Sequence, residues 1–282
     1  MSKTINYSQK TFRERQDVNS RQDLLASLRV KSLERDDTGK YRVYKDKEGN
    51  EYFSVTTILS NTEPEAKRKA LEAWQSKPGN AESLQVACDR GTYVHEQCER
   101  TLKIASKINA NICNARNCWK IYEDGLFRGP KAILQKSIQT ANERKSKIPW
   151  AIRKYEENVA NWINTNVAAI HASEFSIHSK DGMFAGQADA LIDYKKSGNL
   201  CLIDFKTSGS TKPKPDAWLD NYRLQLSAYA WGLFERTGIS VPSAMIVIAR
   251  ENGLQEVPMN LLELAGGKSL FQDRIRQFHS NI

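Results

Sequence analysis

Residues 187 to 206 read Gln187-Ala-Asp189-Ala-Leu-Ile-Asp-Tyr-Lys-Lys-Ser-Gly-Asn-Leu-Cys-Leu-Ile-Asp204-Phe-Lys206. The stretch has the form of two strands joined by a Lys-Lys-Ser-Gly-Asn turn, with an acid on each strand. Side chains on a strand alternate between faces, so Asp204 and Lys206 project to the same side. Two carboxylates with an ammonium beside them can hold a divalent cation and an attacking water next to a phosphate. The run Leu200-Cys-Leu-Ile that precedes Asp204 is apolar enough to be buried and central in a sheet. Charges at the end of such a run require pairing or a metal.

Working outward, His171 to His178 and Phe184 to Tyr194 read as strands, and Leu200 to Lys206 as a third. Asp220 to Arg236 reads as a helix, Ala244 to Ala249 as a buried strand, and about Asn260 to Phe278 as a C-terminal helix. Upstream, Tyr41-Arg-Val-Tyr44 and Glu51 to Leu59 flank a glycine turn and read as a β-hairpin. Helical spacing covers Glu65 to Gln75, about Ala81 to Ile104, and Ala151 to Ala169. Residues 1 to 38 are a polar extension in which Leu24, Leu25, Leu28 and Val30 suggest at most a short helix. Residues 39 to 282 read as one domain.

The order β–β–β–α–β with acids on the second and third strands resembles the PD-(D/E)XK nuclease superfamily. The signature stands as Gly186-Gln-Ala-Asp189 and Ile203-Asp204-Phe-Lys206. Two further blocks resemble the RecB-type branch. Gln225-Leu-Ser-Ala-Tyr229 places an amide and a phenol at i and i+4 on one helix face. Arg90-Gly-Thr-Tyr-Val-His95-Glu96 is similar to the branch's Gly-Thr-x-x-His motif. The run Phe53-Ser-Val-Thr-Thr-Ile-Leu59 upstream narrows the resemblance to the group of mitochondrial genome maintenance exonucleases and their phage and bacterial relatives.

This resemblance implies an α/β fold with a restriction-endonuclease-like core, a central mixed β-sheet flanked by helices. An N-terminal β-hairpin and a helical basic insertion complete the expected architecture. It implies Asp189, Asp204, His95 and the Phe205 backbone carbonyl as ligands for Mg²⁺ or Mn²⁺, imidazole suiting Mn²⁺ better. Lys206 is the expected catalytic lysine, and Gln225 and Tyr229 position the substrate or the site. Glu174 is expected to support the site through the metal shell or by holding the lysine; the alternative is a surface glutamate beside Phe175. The implied activity is a single-stranded DNA exonuclease of replication, recombination or repair, with flaps or duplex ends also open as substrates. Rival readings are a structure-specific endonuclease and a catalytically inactive nucleic-acid-binding module.

Composition agrees with a globular protein: of 282 residues, 40% are hydrophobic and 27% charged. No apolar run approaches the roughly 18 residues that span a bilayer, so no membrane partner is expected; protein partners stay unspecified. The opening segment lacks the apolar region of a secretory signal and carries Glu14 and Asp17. The expected location is the cytoplasm of a bacterial or phage-infected cell, without mitochondrial targeting. Five cysteines (Cys88, Cys98, Cys113, Cys118 and Cys201) are an odd count that fits reduced thiols. None follows Cys201, so no iron–sulfur cluster is expected. The net charge of +9 is carried by residues 101 to 154, which hold twelve Lys/Arg against three acids. Lys103, Lys107, Arg116, Lys120, Arg128, Lys131 and Lys136, interleaved with Trp119 and Tyr122, are candidates to grip DNA. The same pattern also fits a solvated helical face over core aromatics.

Overall fold

The computed structural model describes Leu28, residues 33 to 113 and residues 150 to 282. Strands β1 (Glu34–Asp36), β2 (Val43–Lys45) and β3 (Glu51–Phe53) form an antiparallel sheet in that order. The expected hairpin is β2–β3, and β1, from the end of the polar stretch, adds a third strand. The strand expected to reach Leu59 stops at Phe53. Ser54 caps helix α1 (Val55–Asn61) by accepting a hydrogen bond at Oγ from the Thr57 N–H at 2.9 Å. The β-branched run favours a strand by propensity. The cap and the burial of Val55, Ile58 and Leu59 at helical spacing override it.

Helix α2 (Glu65–Gln75) follows, then α3 (Asn80–Cys113), which extends past the expected end at Ile104. Helix α4 (Trp150–Asn166) ends three residues before the expected Ala169. Asn166 stops it, its side chain donating to the Trp162 carbonyl while its own carbonyl accepts from the Lys195 N–H. The chain then enters β4 (Val167–His178), which is paired antiparallel with β5 (Ala185–Tyr194).

The second sheet has the order β4-β5-β6-β7-β8, with β6 (Asn199–Thr207) in the middle, as its apolar run predicts. Only β6 and β7 (Ser243–Arg250) are parallel, joined by helix α5 (Asp220–Thr237). The edge strand β8 (Gly253–Asn260) was not anticipated. It carries Gln255, Glu256 and Pro258, and only Val257 and Met259 among its residues are buried. Such a composition is admitted at an edge and nowhere else in a sheet. Helix α6 (Leu261–Ser280) closes the chain under a capping box of Asn260 and Glu263.

Strand alternation divides the core into two layers. Leu200 and Leu202 of β6 face Leu224, Leu226 and Ala228 of α5, Phe271 and Ile275 of α6, and Ile58 of α1. Cys201, Ile203 and Phe205 face Val94, Cys98 and Leu102 of α3 and Tyr155, Val159 and Trp162 of α4. The even-numbered positions of β6 therefore look toward α5. That parity puts Asp204 and Lys206 on the α5 side.

Candidate active site

Pairing between β5 and β6 runs from Tyr194–Asn199 to Ala190–Ile203 and stops there. Asp189 and Asp204 occupy the next step, where β6 continues alongside β7 but leaves β5. The Phe205 N–H, freed from the ladder, donates instead to Asp189 Oδ2 at 2.6 Å. A strand residue presents N–H and carbonyl to the same edge, so the Phe205 carbonyl faces the same gap. The cleft is thus made by strands parting, with a carboxylate substituting for a backbone acceptor.

Asp204 is 1% exposed. Lys206 Nζ lies 2.6 Å from its carboxylate, as the i, i+2 spacing requires. From α5, Gln225 Nε2 donates to Asp204 Oδ1 at 3.1 Å and lies 3.1 Å from the Tyr229 hydroxyl. Burial, with the Asp189 carboxylate nearby, pushes the Asp204 carboxyl up to about 6, although the Lys206 ammonium pulls against it. Burial also opposes charge on Lys206, but Asp204 and Asp189 outweigh it and leave the ammonium raised. Lys206 is therefore a charged donor near neutral pH. Burial holds the Tyr229 phenol well above its ordinary value, so it serves as a neutral hydroxyl.

His95, Glu174 and Asp189 each offer a ligand atom, and the three atoms lie within 4.8 Å of one another. His95 Nδ1 is 3.6 Å from Asp189 Oδ2. Glu174 accepts a hydrogen bond from Gln187 Nε2 at 2.6 Å. Glu174 thus lies beside His95 and Asp189, within reach of a cation that they could hold. Asp204 Oδ2 is buried, with the Lys206 ammonium 2.6 Å away. Hard carboxylate oxygens together with an imidazole fit a divalent cation.

A family model for the PD-(D/E)XK nuclease superfamily matches residues 66–269, well over half of the chain. The chain belongs to this superfamily. Its members are nucleases, and they use divalent metals. Human mitochondrial genome maintenance exonuclease 1 is 33% identical over 101 residues, which span 35% of this chain and 28% of that protein. A solved structure from Eubacterium rectale, described only provisionally as an exonuclease, is 13% identical with a TM-score of 0.36. That alignment covers 63% of this chain and 68% of that one.

Of the candidate DNA-gripping residues, Arg116, Trp119, Lys120, Tyr122, Arg128, Lys131 and Lys136 lie outside the described residues. So do the side chains of Lys103 and Lys107, whose backbone continues α3. Two features of the candidate site went unread in the sequence. Tyr222, one turn before Gln225, lies with its ring centre 5.4 Å from Lys206 Nζ; its spacing from Gln225 was the available signal. Gly186 is the other: a Cβ there would lie 2.4 Å from Tyr229 Cε1. Among the described residues no helix is long and apolar enough to cross a membrane.

Proposed function

We propose that the protein is a metal-dependent exonuclease of single-stranded DNA, acting in replication, recombination or repair. The observation that carries the hydrolytic part is the convergence of His95, Glu174, Asp189, Asp204 and Lys206 where β5 leaves β6. Asp189, Asp204 and His95 would hold Mg²⁺ or Mn²⁺, with Glu174 alongside and the Phe205 carbonyl facing the same gap. A bound cation of this kind polarises the phosphoryl group and makes water nucleophilic near neutral pH. Lys206, charged and anchored on Asp204, donates hydrogen bonds to the water and to the oxygens on which charge develops. Gln225 fixes the Asp204 carboxylate, and the neutral Tyr229 hydroxyl fixes Gln225. The single-strand requirement draws support from the resemblance of the blocks at 50–105 and 170–250 to the mitochondrial-type exonucleases, and the end requirement from that resemblance and from the name of the human relative.

The test is digestion of matched linear and circular single strands with Mg²⁺ or Mn²⁺. The expected result is loss of the linear strand, survival of the circle, and no turnover in chelator or by Lys206→Ala. Efficient cutting of the circle would instead establish an endonuclease. Wild-type rates for Lys206→Ala would refute the site.

A further inference from the structure

We propose that Arg90 and Lys214, with Lys67 and Trp218 at the rim, form a phosphate-binding subsite for the substrate strand beside the catalytic centre. The inference rests on the nucleic-acid reading above and adds to it the residues that hold the strand away from the cleaved bond.

The loop after β6 is rich in Ser, Gly, Pro and Lys and largely exposed, a composition that usually wanders. Here it is pinned along its length. The Ser208 N–H donates to the Ala249 carbonyl at 2.9 Å, and the Tyr155 hydroxyl donates to the Ser208 carbonyl at 3.2 Å. Arg250 Nη1 and Asn252 Nδ2 both donate to the Thr211 carbonyl, at 2.7 and 3.0 Å. Gln255 clamps Lys214 from both sides, accepting from its N–H at 2.7 Å and donating to its carbonyl at 3.0 Å. A loop held this firmly presents its side chains with little entropy left to lose on binding.

What it presents, with α2 and α3 beside it, is positive charge in excess of the acids paired with it among the described residues. The partly buried Lys214 ammonium makes no ion pair among the described residues. Burial, together with the neighbouring Lys67 and Arg90 cations, pulls it below the ordinary lysine value. The Arg90 guanidinium lies across Gly209, where a Cβ would stand 3.2 Å from Nη1, and 5.1 Å from the centre of the Tyr155 ring. Its Nε is buried with no hydrogen-bond partner among the described residues. Lys67 is the one cation of the three paired with an acid, Glu63 at 2.8 Å, and its Nζ sits 5.7 Å from the Trp218 ring centre. Trp218 is 44% exposed, enough ring face for a base to stack on.

Like charges gathered with only one of the three paired destabilise a fold unless an anion joins them. The position identifies that anion. Lys214 lies eight residues beyond Lys206 on the loop that leaves the catalytic strand. Arg90 lies five residues before His95, about 7.5 Å along α3. A strand with one phosphate at Lys206 can bring a neighbouring phosphate here, with a base against Trp218.

The experiment measures binding of a short fluorescein-labelled oligothymidylate by anisotropy in chelator, across a salt series. Lys214→Gln and Arg90→Gln are each expected to weaken binding at low salt. Each should flatten the dependence of log K on log salt by about 0.7, the single-strand value for one phosphate contact. Lys214→Arg should keep the wild-type slope, as should Lys196→Gln in the distant β5–β6 turn. Thermal melting separates grip from folding, because relieving the repulsion by Lys214→Gln should leave stability unchanged or raised while binding falls. Should Arg90→Gln fail to fold, Lys214→Gln alone decides. A wild-type salt slope in Lys214→Gln, from a nuclease that still cuts the strand with metal, overturns the subsite and spares the activity. A wild-type protein that neither binds nor cuts the strand overturns both.

Discussion

Replacing Gly186 by alanine should damage the site through a single added methyl group. Gly186 opens the segment that leads to Asp189, and the Tyr229 ring fills the space its missing side chain leaves. The added Cβ would lie 2.4 Å from Tyr229 Cε1 and 3.0 Å from both Cζ and the hydroxyl oxygen. Carbon atoms rest at about 3.5 Å or more, so the ring must retreat by about 1 Å. Tyr229 is 4% exposed and packed within the α5 layer, so retreat means overpacking, at about 1–3 kcal/mol. The displaced hydroxyl leaves its 3.1 Å contact with Gln225 Nε2, which loosens the Gln225 bond to Asp204. Misplacement of about 1 Å at a reacting centre can cost about 10²-fold in rate. Urea denaturation of G186A, Y229A and the double variant isolates the clash, and turnover of a labelled strand by G186A reads its effect on the site. In the Y229A background the methyl should cost almost nothing, giving a coupling of about 1–3 kcal/mol. A G186A protein as stable and active as wild type, or a cost that persists without the Tyr229 ring, would refute the reasoning.

Asp189→Ala should cost about 1–3 kcal/mol in denaturation by stranding the buried Phe205 N–H, whereas Asp189→Asn keeps an acceptor and most of the stability; both should abolish turnover. The Asp204 carboxyl is raised from 3.8 to about 6, so the folded chain binds that proton more tightly than the unfolded chain and stability falls as pH rises through this interval. Thermal melts in chelator should therefore show wild type losing ground to D204N across that window and no further above it. Burial pushes the Cys201 thiol up to about 11 and Cys98 well above its ordinary value, while Cys88 is exposed; of these three, peptide mapping after mild alkylation should find only Cys88 modified until denaturant is added. Ser54→Ala should lower stability by about 1 kcal/mol, read from the denaturation midpoint, because its hydroxyl caps α1.

The site was legible further than the fold around it. Period-2 alternation ties Asp204 to Lys206, and the i, i+4 spacing ties Gln225 to Tyr229; both are local relations that survive folding unchanged. The central place of β6 followed from its unbroken apolar run. What failed were junctions decided by long-range or single-atom effects. The Ser54 hydroxyl turned a β-branched run into α1, and Asn166 ended α4 before a stretch that reads equally well as helix. The edge strand β8 is too polar to announce itself and forms because β7 offers an unpaired edge. Tyr222 was hidden differently, since a tyrosine one turn before Gln225 has no meaning until α5 is docked over Lys206. The absence of a side chain at Gly186 matters only once Tyr229 fills the space.

Glu174 shows how the sheet sustains the site it carries. It has φ 49°, alone among the non-glycine residues described in holding a positive φ. A left-handed residue inside a strand costs about 1–3 kcal/mol and persists only where its surroundings overdetermine it. Here the flanking pairs Ser173–Ala190 and Phe175–Ala188 hold the register on both sides, and Phe175 is anchored in the core at 2% exposure. Glu174 thus stands across from Asp189, at the level where β5 abandons β6. The left-handed turn re-aims its carboxylate without shifting the register, and Gln187 Nε2 holds it there. A regular strand at this point would relieve the backbone and redirect the carboxylate away from His95 and Asp189. The β4–β5 ladder supplies the energy that keeps the acid in place, which makes the edge strand part of the candidate site.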